Sequence, residues 1–376
     1  MKKNISYWER DSFLQSADFT VIGSGIVGIN AALKWKEKYP TSRVVVIERG
    51  TLPSGASTKN AGFACFGSIS ELVEDIELHG EKSVFDLVAK RWKGLSCLRT
   101  KLGDATIDYQ EHGGYELFLE NAIDYEKLKK YIPFLNDRLK AIIGQSNVFS
   151  IVDDANEFGF GKQAKLIRNK VEGQLHPGIM MQAFIRMAIA KGIIVLTGAT
   201  VKNWEENATG VYIQTPLLEL KTERLLIATN GFTPQLLPEI DLQPARNQVI
   251  VTQPIPNLSF KGCFHYDRGY YYFRNIGNRI LLGGARNLAP ELETTAEFGE
   301  SAIIQQGLMK FLREVILPNQ KVEIEQKWSG ILGVGISKKP IVQRISERIG
   351  LAVRLGGMGV AIGTLIGEEG VELFGK

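Results

Sequence analysis

Asp18-Phe-Thr-Val-Ile-Gly-Ser-Gly-Ile-Val-Gly-Ile-Asn-Ala-Ala-Leu33, followed by Arg43-Val-Val-Val-Ile-Glu48, reads as strand, glycine turn, helix, second strand and a closing acid. That order is the signature of a dinucleotide-binding βαβ unit. Gly23 permits the tight turn, Gly25 lets the backbone approach a pyrophosphate, and Gly28 lets the helix press against the strand. The helix then aims its free amides and positive dipole end at the phosphates. Glu48 stands twenty residues past Gly28, where a carboxylate accepts hydrogen bonds from ribose hydroxyls. A glycine triplet alone also makes a plain tight turn. Here the strand before it, the helix after it and the spaced acid all agree.

The chain of 376 residues fits one large or two intimately joined domains. Its 45 Lys and Arg against 41 Asp and Glu leave it barely basic, which gives no reason to expect a nucleic-acid partner. Cys65, Cys97 and Cys263 form no CxxC pair and read as reduced thiols, not as a disulfide framework or zinc site. His176 precedes a proline and has no His, Cys or acidic partner at ligand spacing, so no metal is expected. The stretch from Met1 to Asp11 lacks the apolar run of a signal peptide, and no uninterrupted apolar run is long enough to cross a bilayer. The expected location is the cytoplasm.

After Glu48, residues 49–63 form a loop of small residues whose backbone can press on a ligand. Residues 70–142 alternate apolar and charged positions at helical spacing around one strand-like stretch, 113–119. A second α/β passage opens near Gly173, with a helix over 179–191 and strands near 192–201, 211–215 and 224–231. From Pro244 the texture turns β-rich and aromatic, with strands over 247–251 and 269–274 and a hairpin partner over 278–284. Residues 328–335 follow, and 351–363 close the chain on a further strand, glycine turn and helix.

Three glycine-rich segments rather than one favour FAD over NAD. Together they resemble the D-amino-acid oxidase superfamily, in the branch of glycine oxidase, sarcosine oxidase and γ-glutamylputrescine oxidoreductase, nearest the last. The residues that carry the resemblance are 23–28 with Glu48, 55–62, 227–231, 244–249 and 354–359, in the same order over almost the full length. The resemblance implies an α/β fold, α+β overall. A Rossmann-like FAD-binding domain (1–85, 168–241 and 327–376) is interleaved with a β-rich antiparallel substrate domain carrying helices (86–167 and 242–326).

It places Ile26, Val27, Glu48 and Arg49 at the ADP half, beside Gly23, Gly25 and Gly28. Ser57, Thr58, Lys59, Asn60, Ala61, Gly62 and Phe63 run along the pyrophosphate, ribityl chain and flavin, with Gly330 also at the cofactor. Val201 meets the adenine, and Ala228, Thr229, Asn230 and Gly231 pass near the ADP side. Gly356, Gly357, Met358, Gly359, Val360, Ala361 and Ile362 bring a helix N-terminus to the pyrimidine edge. Covalent relatives attach flavin through a cysteine near the tryptophan segment or a histidine in the loop after the ribose acid. Here no cysteine follows Cys263, and Lys59 and Asn60 stand in that loop, so FAD is expected to be non-covalent.

The implied activity is oxidation of the C–N bond of a small amine or amino acid to an imine that water hydrolyses, with no acid or base residue needed at the C–H bond. The electron acceptor is open. Tyr271, Arg274, Trp328 and Leu332 are the expected pocket residues. Leu332 stands where glycine oxidase has its carboxylate-binding arginine, so another arginine replaces it or the substrate is no ordinary α-amino acid. Arg274 offers a fork, yet strand alternation separates it from Tyr271 unless a bulge intervenes. Arg246, Arg286 and Arg354 compete for that role. A flavoprotein assembly factor without turnover, an oxidase of modified tRNA and an NAD dehydrogenase are the rival readings.

Overall fold

The computed structural model describes all residues except 1–3, 120–122, 161–163, 217, 319 and 376. Parallel strands form the centre of the first sheet, in the spatial order Ile349–Val353, Glu219–Ile227, Ala17–Ile22, Val44–Ile47 and Ile194–Leu196. Ile341–Arg344 adds an antiparallel edge, and Gly210–Gln214 with Asn203–Asn207 forms an antiparallel flap on Glu219–Ile227. Phe19, Val21, Val44 and Val46 bury one face, while Ile22, Val45 and Ile47 bury the other. A strand covered on both sides is largely apolar, which is why Val44–Ile47 reads as an unbroken hydrophobic run and Ala17–Ile22 departs from one only at the half-buried Asp18 and the buried Thr20.

Helices Ile26–Lys38 and Gly359–Glu372, from opposite ends of the chain, pack side by side on this sheet. Their contact needs Gly367, where a Cβ would lie 2.4 Å from the Val27 carbonyl oxygen. Helix Glu81–Leu102 leans on Gly359–Glu372 in the same way through Gly94, whose Cβ would meet the Ala361 oxygen at 2.3 Å. The domain border expected at residue 85 therefore falls inside one continuous helix.

The second sheet runs Ile324–Val334, Gln243–Thr252, Arg279–Gly284, Tyr271–Ile276, Cys263–Tyr266, Gly114–Phe118, Lys165–Asn169 and Phe149–Val152. Its neighbours are antiparallel except Cys263–Tyr266 beside Gly114–Phe118, two strands too far apart in sequence for a hairpin to fix their direction. Helix Ala302–Phe311 covers one face through Phe264, Phe273, Leu308 and Phe311. The opposite face meets Ala61 and Phe63 through Val249, Leu281, Tyr272 and Trp328. A separate two-stranded antiparallel ladder pairs Phe63–Ala64 with Gly173–Gln174. The α/β architecture expected from the sequence is the one observed, and among the described residues no helix is long and apolar enough to cross a membrane.

Local differences have local causes. The helix read over 179–191 spans Pro177–Ala190, because proline suits the first helical position and His176 caps it, its Nδ1 accepting from the Ile179 amide at 3.2 Å. The strand read from 224 begins at Glu219, where the antiparallel flap extends it.

The glycine seam at residue 94 is testable. Gly94→Val forces two helices apart and should cost about 1–3 kcal/mol despite its better helix propensity, read as a lower urea midpoint. An unchanged midpoint would contradict the packing.

Candidate active site

The glycine turn after Ala17–Ile22 opens into a cavity of about 410 Å³. Gly23, Gly25, Ile26, Val27, Glu48 and Arg49 line one end, and Val201, Ala228, Thr229 and Asn230 line it beside them. Ser57, Asn60, Leu332, Gly357, Gly359 and Val360 line the remainder. Both ends of the chain thus meet at one cavity. Gly23 has φ +107°, and a Cβ there would lie 2.7 Å from the Ala228 oxygen. A Cβ on Gly28 would lie 1.9 Å from the Gly23 oxygen, so this helix reaches its strand only through glycine. Gly25 leaves room for Ser57, whose Oγ accepts from the Ile26 amide at 3.0 Å and so occupies one free donor of the helix N-terminus.

Glu48 is buried, and its carboxylate is already bonded. Oε2 accepts from the Ser24 amide at 3.2 Å and hydroxyl at 2.7 Å, while Oε1 accepts from the Gly50 amide at 2.9 Å and the Ser54 hydroxyl at 2.8 Å. A ribose hydroxyl reaching Glu48 must share or displace the Ser54 bond. Sequence reading passed over both serines; a small hydroxyl inside the turn and another just past the acid were the available signal. Arg49 stacks over the Phe232 ring at 3.5 Å, a contact between segments that no spacing rule foretells.

The loop 56–63 is pinned along its length. Thr58 Oγ1 donates to the Pro53 oxygen at 2.7 Å. Asn60 donates to the Ser57 oxygen at 2.8 Å and accepts from the Gly62 amide at 2.8 Å. Trp328 Nε1 donates to the Lys59 oxygen at 3.0 Å, and Gly330 lies against Lys59, where a Cβ would be 3.1 Å from the lysine Cβ. Gly231 touches the Leu332 backbone, with a Cβ only 2.4 Å from its oxygen. Gly356 and Gly357 adopt φ +55° and +84°, the left-handed region that favours glycine, and Met358 Sδ lies 3.9 Å from Cys65 Sγ. Ala361 and Ile362 belong to the buried core and are not among the residues lining the cavity.

Two expected pocket residues sit elsewhere. Strand Tyr271–Ile276 pairs in unbroken register with Arg279–Gly284, so no bulge brings Tyr271 and Arg274 together. Tyr271 packs under helix Ala302–Phe311, with its ring 4.8 Å from Phe311, and so does not face the loop 56–63. Arg274 faces that loop but is buried and committed: Nε donates to the Ala61 oxygen, Nη2 to the Leu175 oxygen at 3.1 Å and Nη1 to the Asn275 oxygen at 3.4 Å. It fastens backbone instead of waiting for a carboxylate. Tyr272 is the tyrosine on that face: its ring is 5.8 Å from Phe63, burial pushes its pKa up, and its hydroxyl has no partner among the described residues.

The competing arginines separate as clearly. Arg246 grips Glu293 at 2.9 and 3.0 Å, and Arg354 holds Asp241 through its oxygen at 2.8 Å and Oδ2 at 2.5 Å. Arg286 is half-buried and makes no ion pair or hydrogen bond among the described residues; it lies 5.6 Å from the Tyr270 ring and acts electrostatically on Tyr272. A buried pair, His265 with Glu172 at 2.7 Å, was not singled out by sequence reading, since its members lie far apart in the chain. Arg274→Met should therefore lower stability by about 3 kcal/mol, because buried carbonyls lose their donor, and Arg274→Lys should restore little of it. Thermal melting checks this; a melt unchanged in both variants would return Arg274 to the substrate.

A model of the FAD dependent oxidoreductase family matches residues 18–373. The "Probable oxidoreductase OrdL" of Haemophilus influenzae is 22% identical over 382 residues, covering 94% of this chain and 82% of that protein. The fold is similar to L-proline dehydrogenase from P. horikoshii (TM-score 0.77, 19% identity, 96% of this chain and 94% of that one). It is equally similar to glycine oxidase from Geobacillus kaustophilus (TM-score 0.77, 19% identity, 96% and 95%). A match running nearly from end to end settles kinship: this chain belongs to the family of FAD dependent oxidoreductases.

Proposed function

We propose that the chain holds FAD non-covalently along the 410 Å³ cavity and oxidises the C–N bond of a small amine or amino acid. The observation that carries this reading is the meeting of two glycine turns and two helix N-termini, at Ile26 and Gly359, around one space. Those helix ends direct partial positive charge into the cavity, which suits a pyrophosphate at one end and negative charge on a reduced pyrimidine ring at the other. Gly23 and Gly25 leave the width that a pyrophosphate needs, and Glu48 supplies the ribose acceptor. Among the described residues the lining holds no cysteine or histidine, so it offers none of the usual attachment points for a covalent flavin. When bound, the flavin accepts the hydride released as the amine carbon becomes an imine.

The chain's own task is orientation and exclusion of water. Leu332 lines the cavity with an apolar side chain that cannot pair a carboxylate. With Arg246, Arg274 and Arg354 committed, the carboxylate of an amino-acid substrate goes to Arg286, with the free Tyr272 hydroxyl beside it. The three free thiols fit the reducing cytoplasm.

The test mixes FAD-loaded protein anaerobically with γ-glutamyl amines, N-methyl amino acids, proline and D-amino acids. At least one should bleach the flavin, and acid precipitation should leave all flavin in solution. Arg286→Met should raise KM roughly 10–100-fold for carboxylated substrates and leave plain amines unchanged, the loss of one charge-assisted contact. A flavin that no amine reduces would make the chain a binding factor.

A further inference from the structure

Phe298 is 43% exposed in the segment 285–301, which joins strand Arg279–Gly284 of the second sheet to helix Ala302–Phe311. A single exposed phenylalanine needs no explanation by itself. This one ends on groups that belong to the cavity. Its ring centroid lies 5.8 Å from Cζ of Arg49, 5.0 Å from Nζ of Lys59 and 5.9 Å from the centroid of Phe232. Arg49 and Phe232 line the cavity with Glu48, and Lys59 belongs to the loop 56–63 between the lining residues Ser57 and Asn60.

The segment that delivers the ring is fixed on either side of it. Glu293 is buried and accepts from Arg246 Nε and Gln248 Nε2 at 2.9 Å each and from the Ser301 hydroxyl at 2.8 Å. The Gly299 amide donates to Ser329 Oγ at 2.9 Å. Residues 294–298, between those points, include no buried residue, so Phe298 stands on a short tethered arch. Arg49 is only partly fixed without it. Its guanidinium lies over the Phe232 ring at 3.5 Å and Nε donates to Ser54 Oγ at 3.2 Å, while neither Nη has a hydrogen-bond partner among the described residues. A cation and an aromatic face attract within about 6 Å, so the Phe298 ring restrains both Arg49 and Lys59.

We propose that Phe298 is a latch on the nucleotide end of the cofactor site: reaching over from the second sheet, it holds Arg49 and Lys59 at the cavity and so slows the release of FAD. The inference rests on the FAD-holding reading above. Phe298 is not among the lining residues, so it acts through the two cations and is a positioning residue. The restraint is set before the cofactor arrives, which lowers the ordering cost of binding. Two partly exposed cation–ring contacts set the scale of the effect at roughly tenfold.

The experiment follows FAD release from the holoenzyme by recovery of flavin fluorescence on dilution, and titrates the apoprotein with FAD and with FMN. FMN lacks the adenosine monophosphate portion. A contact acting at the nucleotide end therefore changes the preference for FAD over FMN, whereas a general loosening of the fold weakens both. We expect Phe298→Ala to release FAD roughly tenfold faster, with the FAD preference lowered by the same factor and an unchanged melt. Phe298→Tyr, which keeps the aromatic face, should match wild type, and Phe298→Leu, which keeps only apolar bulk, should match Phe298→Ala. Leu292→Ala removes a residue of the same segment that is 50% exposed and makes none of these contacts, and it should leave release unchanged. In an Arg49→Met background the loss caused by Phe298→Ala should shrink, as it must for coupled neighbours. Release from Phe298→Ala at the wild-type rate, equal weakening of FAD and FMN, full retention by Phe298→Leu, the same loss from Leu292→Ala or an undiminished loss beside Arg49→Met would each overturn the inference and leave the cofactor site standing. If the wild-type protein takes up no FAD, the FAD-holding reading fails first.

Discussion

Backbone meeting backbone at glycine is the constraint on which the rest of this molecule depends. At Gly28, Gly94, Gly231 and Gly367 a single added carbon would lie within 2.4 Å of a carbonyl oxygen. Those contacts pull helix Ile26–Lys38 onto its strand, helix Gly359–Glu372 onto Ile26–Lys38, the long helix Glu81–Leu102 onto Gly359–Glu372, and the second sheet's edge onto the segment after Glu219–Ile227. A cavity lined by both chain ends exists because these seams close to backbone distance. Interiors packed at crystal-like density offer little slack for a displaced helix, so the cavity's shape inherits the precision of the seams.

Within that frame, the loop 56–63 is the surface on which chemistry is arranged, and it is held from outside itself. Arg274 and Trp328 reach it from the second sheet, while Ser57 ties it to the helix N-terminus at Ile26. Polar groups that looked available for ligands therefore serve the scaffold. Among the described residues, Tyr272 and Arg286 beside the second sheet's inner face are left without hydrogen-bond partners. A rigid first layer supporting a few free polar groups is what orienting a small substrate requires.

The nucleotide half was legible because its physics is local. A turn that needs glycine, a helix that needs close approach and an acid at the end of the next strand are written within residues 18–48. The second sheet was legible as strands, and alternation correctly separated Tyr271 from Arg274. What each face of that strand meets was not legible, because helix Ala302–Phe311 and the loop 56–63 come from distant parts of the chain. The same holds for His265 and Glu172, joined by folding and not by spacing. Arginine roles followed the same limit: a guanidinium's partner is decided in space.

Flavin fluorescence quenching across an FAD titration tests the central claim most directly, comparing wild type with Gly359→Leu. Gly359 has no positive φ and its nearest Cβ neighbour is at 3.4 Å, so the substitution fills the cavity without straining the fold. One FAD should bind per wild-type chain, and the variant should lose about 100-fold in affinity, close to 2.7 kcal/mol, with an unchanged melt. Equal affinity in the two proteins would mean that the C-terminal turn takes no part in holding the cofactor.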